Sequence, residues 1–269
     1  GGGEAMRGWG IPMATDAAFA IGALLLLGDR VETGVKLFLL TIAVVDDVSA
    51  ICVIAAAYTA DLSLAWLGIA VAGVIAVAAL RRLGVTSPWA YVPVALFVWV
   101  ATLESGVHAT IAGVVLALMT PARPAGGRSV LEELENRLHP WSAYLVLPLF
   151  ALANAGVAFG DADLGDDGTR VAIAVAVALV AGKLVGITAA TLLALRLRIG
   201  RLPQAIDLRS IAGVAALGGI GFTVSLFITP LAFESAVLVD GAKIGILAGS
   251  LVAAATGTAI LALRPRPET

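Results

Sequence analysis

The sequence predicts an all-α polytopic membrane protein, and its composition, its long apolar runs and its uneven charge all point to that class. Of the 269 residues, 60% are apolar and 13% are charged, and the mean hydropathy is +1.00. Soluble domains carry about 25% charged residues, so a chain this apolar needs lipid around it. This excludes a disordered chain, a nucleic-acid-binding protein and a disulfide-stabilised secreted domain. Cys52 is the single cysteine, so no intramolecular disulfide forms.

Nine apolar segments are the predicted spans of a helical bundle. A helix rises about 1.5 Å per residue, so about 20 residues cross the hydrocarbon core. The runs are too long and too continuous for the strands of a barrel. A tight turn at Glu104, Ser105 and Gly106 separates the two shortest. The predicted spans of this single transmembrane domain, residues 1–269, are 11–28, 34–59, 62–83, 88–102, 106–119, 141–158, 170–197, 210–230 and 237–263.

Lysine and arginine are distributed unevenly between the loops. Loops on one side of the predicted bundle carry thirteen of these residues and loops on the other carry three, while Lys183 lies inside a span. The positive-inside rule therefore predicts a cytoplasmic C-terminus and an external N-terminus. Residues 1–10 lack the features of a signal peptide, and the sequence does not begin with Met. We therefore expect the chain to be the C-terminal part of a longer protein.

Ionisable residues lie at membrane depth in three predicted spans. Asp46 and Asp47 lie about 17–18 Å along the second span, and Lys183 lies midway along the seventh. The first span holds Thr15 and Asp16. Each such charge costs about 2.5–3.5 kcal/mol on insertion scales, which favours a functional role over a purely structural ion pair. Adjacent helix positions point about 100° apart, so one aspartate of the pair can meet Lys183 while the other faces a cavity.

Two predicted spans carry residues that interrupt helices. Pro12 removes a backbone donor at the start of the first span, and Gly218, Gly219 and Gly221 lie at the centre of the eighth. Each interrupted span is followed by a short loop and a long uninterrupted span. By the charge count, the two interrupted spans run in opposite directions. The pattern predicts inverted-topology repeats with two broken helices crossing near the midplane, which is a plan typical of secondary transporters.

Six motifs, in order along the chain, resemble those of the NhaA family of bacterial Na⁺/H⁺ antiporters, itself one of the folds that defines this plan. They are GWGIPMATDAAFAIG, AVVDDVSAI, SGVHATIAGVVLA, LHPWSAYLVLPLFALANAG, GKLVGI and GGIGFTVSLFI. They run from residue 8 almost to the C-terminus. The family has twelve spans, and this chain resembles the fourth to the twelfth, so we expect the first three spans and their dimerisation hairpin to be absent.

The resemblance implies a role for each polar residue that lies at membrane depth. It implies that Asp47 is the principal ligand of Na⁺ and the proton carrier, with Asp46 beside it at the metal site. It also implies that Asp46 pairs with Lys183. The Thr15–Asp16 pair corresponds to the broken fourth span of the family, where the acid compensates the facing dipole ends of the broken helices near the ion site. We therefore expect Thr15 and Asp16 to belong to the ion- and proton-binding residues, with Asp46 and Asp47.

Two further residues have candidate roles in pH sensing. His108 opens a span on the predicted outer side, and a single histidine at a helix end is typical of a capping or interface group. Glu135 precedes the LHPW motif, beside Glu132, Glu133 and Arg137, which are also typical of a solvated face. The resemblance implies that His108 and Glu135 contribute to the pH response.

These observations predict a secondary active antiporter, not an enzyme. We expect it to exchange cytoplasmic Na⁺ or Li⁺ for external protons in the bacterial inner membrane, under pH regulation, in sodium and pH homeostasis. Carboxylates are hard ligands that bind Na⁺ or a proton but not both. No phosphate-binding loop is present in the sequence, and no cofactor is expected. The expected partners are the lipid bilayer, Na⁺ and protons, with no nucleic acid. A homodimer is expected of the full-length parent rather than of this chain, because the dimerisation hairpin is absent here.

Three alternatives remain open on the sequence alone. A sodium-coupled symporter of an organic solute would use a similar fold with a roomier cavity. A retinal protein would use the same chemistry of a buried lysine with aspartate counter-ions, although aromatic residues make up only 6% of the chain. An inactive fragment with a structural role in assembly is the third.

Overall fold

The computed structural model describes residues 2–58, 62–122, 129–156, 164–202 and 206–263, and these ranges contain helices, short turns and no strand. The all-α prediction is confirmed. The α-helices are α1 (Gly2–Ala5), α2 (Ala17–Leu25), α3 (Thr33–Ala57), α4 (Leu64–Arg82), α5 (Pro88–Glu104), α6 (Ala109–Met119), α7 (Val130–Trp141), α8 (Leu147–Asn154), α9 (Gly165–Val177), α10 (Lys183–Arg196), α11 (Leu208–Leu217), α12 (Phe222–Ala232) and α13 (Ala236–Ala262). Between them lie 3₁₀ helices at Met6–Met13 and Gly28–Arg30 and π-helices at Ser142–Val146 and Ala178–Gly182.

Several helices are long and apolar enough to cross a bilayer. Four continuous helices have this length and composition, and the count is six within the described residues if each of two bent pairs is one span. Each bent pair is followed by one of the long helices, which is the element order predicted for the two halves. The continuous helices are Thr33–Ala57, Leu64–Arg82, Gly165–Arg196 and Ala236–Ala262, and the bent pairs are Gly3–Met13 with Ala17–Leu25 (45°) and Leu208–Leu217 with Phe222–Ala232 (50°).

Helices lie within each predicted span, with ends that differ from the predicted ones. The windows 88–102 and 106–119 are α5 and α6, two short apolar helices. Between them Gly106 has φ +82°, a left-handed conformation that glycine adopts without strain, so the predicted turn is present. The first bent pair begins ahead of the predicted residue 11. The predicted ends at residues 59 and 158 lie outside the described residues, and the total of nine spans stays a prediction.

The chain divides into two compact units. The first comprises Gly1–Ala50 with Leu152–Thr269 and the second comprises Ile51–Ala151, so the boundaries fall within α3 and α8. The second unit contains α4 to α7, and its buried core cluster consists of Val77, Tyr91 and Val130. The first unit contains both bent pairs and a larger core cluster, and it also holds Asp16, Asp46, Asp47 and Lys183.

In the first unit, α13 packs closely against α9 through small residues at every fourth position, which lie on one helix face. A Cβ added at Gly245 would collide with the backbone of Ala172, and one at Gly249 would lie 3.0 Å from the Cα of Ala176. Small residues allow the two backbones to approach to contact. This contact fixes the position of α13 beside the second bent pair.

Candidate functional site

The first break lies between the 3₁₀ segment Met6–Met13 and α2. Ala14 and Asp16 have extended backbones, with ψ of 151° and 94°. Asp16 is the N-cap of α2, since its Oδ1 accepts a hydrogen bond from the Phe19 amide at 3.1 Å, a position that aspartate favours. Thr15 and Asp16 are 0% and 3% exposed. The break therefore holds two polar side chains in the interior.

The second break lies at the glycines between α11 and α12. A Cβ at Gly219 would collide with the carbonyl oxygen of Leu179, and one at Gly221 would collide with the hydroxyl of Ser225. The backbone contact requires glycine at position 219, whereas a side chain at position 221 would have to displace those of Ser225 and Leu179. The predicted interruption at the centre of this span is confirmed. Glycine is present there because a side chain would collide with its neighbours, and not because the backbone torsions demand it.

The two breaks contact each other through hydrogen bonds. The Asp16 amide donates to the Ile220 carbonyl at 2.6 Å. The Oδ2 of Asp16 accepts from the Thr223 amide at 3.0 Å and from the Thr223 hydroxyl at 2.5 Å. The Thr15 hydroxyl lies 2.8 Å from the Gly218 carbonyl. One carboxylate thus caps its own helix, α2, and the opposing helix, α12.

Lys183 joins the first break to α3. Its ammonium forms an ion pair with Oδ2 of Asp46 and donates to the carbonyl of Met13. Its Nζ also lies 3.3 Å from the Thr15 hydroxyl, which in turn lies 2.6 Å from Oδ2 of Asp46. The helix phase predicts that one aspartate of the pair meets Lys183, and the family resemblance implies that it is Asp46, the residue in contact here. Lys183 directly follows the π-helix Ala178–Gly182, a local widening that is common at functional sites.

Asp47, the neighbour of Asp46 on α3, has an unused carboxylate oxygen within the described part of the chain. Its Oδ1 is buried and has no hydrogen-bond partner among the described residues. The charges that act on this carboxylate are those of Asp46, Asp16 and Lys183. Buried polar atoms are almost always hydrogen-bonded, so a buried carboxylate oxygen that lacks a partner is suited to receive a proton or a cation.

His108 and Glu135 lie in the second unit, whereas the polar residues at the breaks lie in the first. His108 is the N-cap residue of α6, and its Nε2 lies 3.0 Å from the carbonyl of Tyr58. Glu135 lines a cavity of about 490 Å³ whose other lining residues are almost all apolar. The structure does not bring these two residues together with the ion pair within one unit, and their roles in pH sensing stay predictions.

Two hydroxyl residues at the second break escaped prediction as parts of the site. Thr223 contacts Asp16, as described above, and Ser250 of α13 accepts hydrogen bonds from the amides of Gly221 and Phe222 at 3.2 and 3.3 Å. An interrupted helix leaves unpaired amides at each restart. The sequence offers only a hydroxyl residue within an otherwise apolar span, which is too common in membrane helices to mark a site.

The chain matches a family model and several named relatives over most of its length. The family model described as Na⁺/H⁺ antiporter 1 matches residues 1–261. The Na⁺/H⁺ antiporter NhaA 1 of Erythrobacter litoralis is 51% identical over 259 residues, which cover 96% of this chain and 64% of that relative. The NhaA proteins of Shewanella oneidensis and Shigella dysenteriae are 47% and 45% identical, over 93% and 97% of this chain and 65% and 68% of their own lengths. The chain thus spans about two thirds of the length of these relatives.

Proposed function

Because the chain belongs to the Na⁺/H⁺ antiporter 1 family, we propose that it exchanges Na⁺ or Li⁺ for protons across a bacterial membrane. Its relatives are named as Na⁺/H⁺ antiporters. In this proposal cytoplasmic Na⁺ leaves as external protons enter, with no cofactor. The chain lies in the inner membrane with a cytoplasmic C-terminus, as the basic loops indicate. A pH response through His108 and Glu135 belongs to the same proposal.

The unpartnered carboxylate oxygen of Asp47 is the observation that carries the proposal. A carboxylate is a hard oxygen ligand suited to Na⁺ or Li⁺, and the same oxygen can accept a proton instead. Because a proton neutralises the charge that holds the cation, the two ligands exclude each other. When such a site opens alternately to the two sides of the membrane and changes sides only when occupied, mutual exclusion couples the outward movement of Na⁺ to the inward movement of protons.

The neighbouring groups support Asp47 in different ways. Oδ2 of Asp46 is bound to Lys183 and Thr15, so release of Lys183 would be needed before that oxygen could join a Na⁺ site. Asp16 is bound to the amides of Phe19 and Thr223, so it offsets the positive ends of two helices rather than binding the transported ion. Asp47 is therefore the carboxylate most available for exchange.

Proton flux driven by a Na⁺ gradient in proteoliposomes tests the proposal. Two proteins are compared, the 269-residue chain and a chimera that adds the part of the Erythrobacter relative left uncovered by the match. We expect Asp47→Asn to abolish exchange without affecting insertion, because the amide keeps the shape but carries neither a full charge nor an exchangeable proton. We also expect the half-saturating Na⁺ concentration of the unmutated protein to rise as pH falls, because protons compete for the same carboxylate.

The matched control is Asp166→Asn, which removes a carboxylate from an exposed position at the start of α9. It should exchange ions at the rate of the unmutated protein. Exchange by Asp47→Asn at that same rate would contradict the assignment, and a Na⁺ affinity independent of pH would indicate separate sites for the two ions. Activity in the chimera alone would identify the 269-residue chain as insufficient for transport.

A further inference from the structure

The start of α12 is capped by groups from two other helices. The amides of Gly221 and Phe222 donate to the Ser250 hydroxyl, and the next amide, of Thr223, donates to Asp16. The first amides of a helix have no partner within the helix. Here a hydroxyl from α13 and a carboxylate from the first break divide them, so Asp16 is not the only acceptor at this helix end.

Ser250 is held in place by the close packing of α13. It is 6% exposed. A Cβ at the adjacent Gly249 would lie 3.0 Å from the Cα of Ala176 on α9, which is closer than ordinary van der Waals contact. Three residues further along α13, Ala253 would lie 3.0 Å from a Cβ at Gly219. The hydroxyl is therefore presented to the second break by a helix that cannot shift without opening its contact with α9.

A closed set of contacts connects Ser250 to the carboxylate of Asp16. The ring of Phe222, whose amide donates to Ser250, packs edge-to-face on Phe19 with 4.8 Å between ring centroids. The amide of Phe19 donates to Oδ1 of Asp16, and Thr223 donates to Oδ2. Fixing the start of α12 therefore fixes donors to both oxygens of this carboxylate.

We propose that Ser250 is a positioning residue for the ion site, acting through Asp16; this rests on the proposed function. Without the hydroxyl, two buried amides lose their acceptor, and the closest carboxylate is drawn from the Phe19 amide towards the start of α12. The unpaired amides also leave partial positive charge at this helix end. Both effects make the surroundings of Asp47 less favourable for a bound cation, so Na⁺ binding weakens while the carboxylate that exchanges ions is unchanged.

The test measures Na⁺-dependent proton flux in proteoliposomes for Ser250→Ala, Ser250→Cys and Ser250→Thr, in whichever of the chain and the chimera transports. For Ser250→Ala we expect the half-saturating Na⁺ concentration to rise about fivefold, the effect of one lost hydrogen bond, with little change in maximal rate. Ser250→Thr keeps the hydroxyl and should restore the original value. Ser250→Cys, a weak acceptor of the same shape, should behave like Ser250→Ala and serves if that variant does not fold.

Thr258→Ala is the control on the same helix, because the Thr258 hydroxyl donates to the Ala254 carbonyl of α13 itself. It should leave the Na⁺ dependence unchanged. An unaltered half-saturating concentration in both Ser250→Ala and Ser250→Cys would overturn the inference, as would a fall in maximal rate alone. If neither the unmutated chain nor the unmutated chimera shows Na⁺-driven flux, the proposed function itself is wrong, and that result is distinct from a failure of the Ser250 variants.

Discussion

The two helix breaks contribute different kinds of group to the contacts between them. The first break, at Ala14–Asp16, contributes a hydroxyl and a carboxylate, and these side chains make most of its contacts. The second break, at Gly218–Gly221, contributes bare backbone, namely the carbonyls of Gly218 and Ile220 and the amides that restart α12. One break requires particular polar side chains and the other requires their absence. The sensitivity of the first to polarity and of the second to volume should therefore differ.

The charged side chains also belong to the first break and its surroundings. The Asp16 carboxylate lies where α2 and α12 begin, and the Lys183 ammonium contacts the carbonyl of Met13, where the first half-helix ends. Anions are stabilised at helix N-termini and cations at C-termini. The side chains in and around the first break thus complement the backbone dipoles that both breaks expose.

The largest expected effect on stability comes from removing the cation of the ion pair beside the first break, which leaves a carboxylate without its partner. Lys183→Ala leaves the Asp46 carboxylate partly buried without its cation, and removal of one member of a buried pair destabilises a protein by about 3–5 kcal/mol. We expect a large fall in melting temperature in detergent. Asp46→Asn combined with Lys183→Gln should recover part of the loss, because neither charge remains alone.

A double-mutant cycle on the melting temperature measures the coupling between the two residues. Additive losses would show that the ion pair contributes nothing to stability. Ion flux then separates two roles. A double mutant that is stable and still exchanges ions would make the pair structural, whereas one that is stable and inactive would place the pair in the exchange of protons.

The second prediction concerns volume at the glycine break. Gly219→Ala places a methyl group against the Leu179 carbonyl and within 3.0 Å of the Ala253 Cβ. Neither neighbour is the end of a flexible side chain, so we expect a loss of about 3 kcal/mol, the upper part of the range for overpacking. Gly186→Ala, on α10, meets nothing within 4 Å and should be neutral or slightly stabilising. Equal melting temperatures for the two variants would contradict the requirement for empty space.

Much of this arrangement could be predicted because membrane insertion makes polar residues conspicuous. Asp46, Asp47 and Lys183 stand out in apolar spans, and helix phase alone separates the two aspartates by about 100°. The glycines and Pro12 mark the breaks for the same reason. In both cases, the sequence signal is a residue that an ordinary span would exclude.

The remaining contacts depend on how distant segments pack, which periodicity does not encode. Thr223 and Ser250 are ordinary residues for a membrane helix, where hydroxyls commonly bond to their own backbone. Their role follows only from the approach of α12 to the first break and to α13. Which oxygen of Asp47 stays unpartnered likewise depends on side-chain rotamers within the folded unit.

The smallest expected effect tests whether the two breaks are coupled by one hydroxyl. Thr223→Val removes the donor that lies 2.5 Å from Oδ2 of Asp16 but keeps the amide bond to the same oxygen, so we expect a loss of about 1–2 kcal/mol. Thr229→Val, on the same helix, removes a buried hydroxyl that donates to the Ser225 carbonyl within α12. Thermal unfolding in detergent should show the larger loss for Thr223→Val and recovery in Thr223→Ser. Equal losses in the two valine variants would mean that the Asp16 carboxylate of the first break does not depend on a side chain of the second break. The second break would then contribute only backbone groups to this contact.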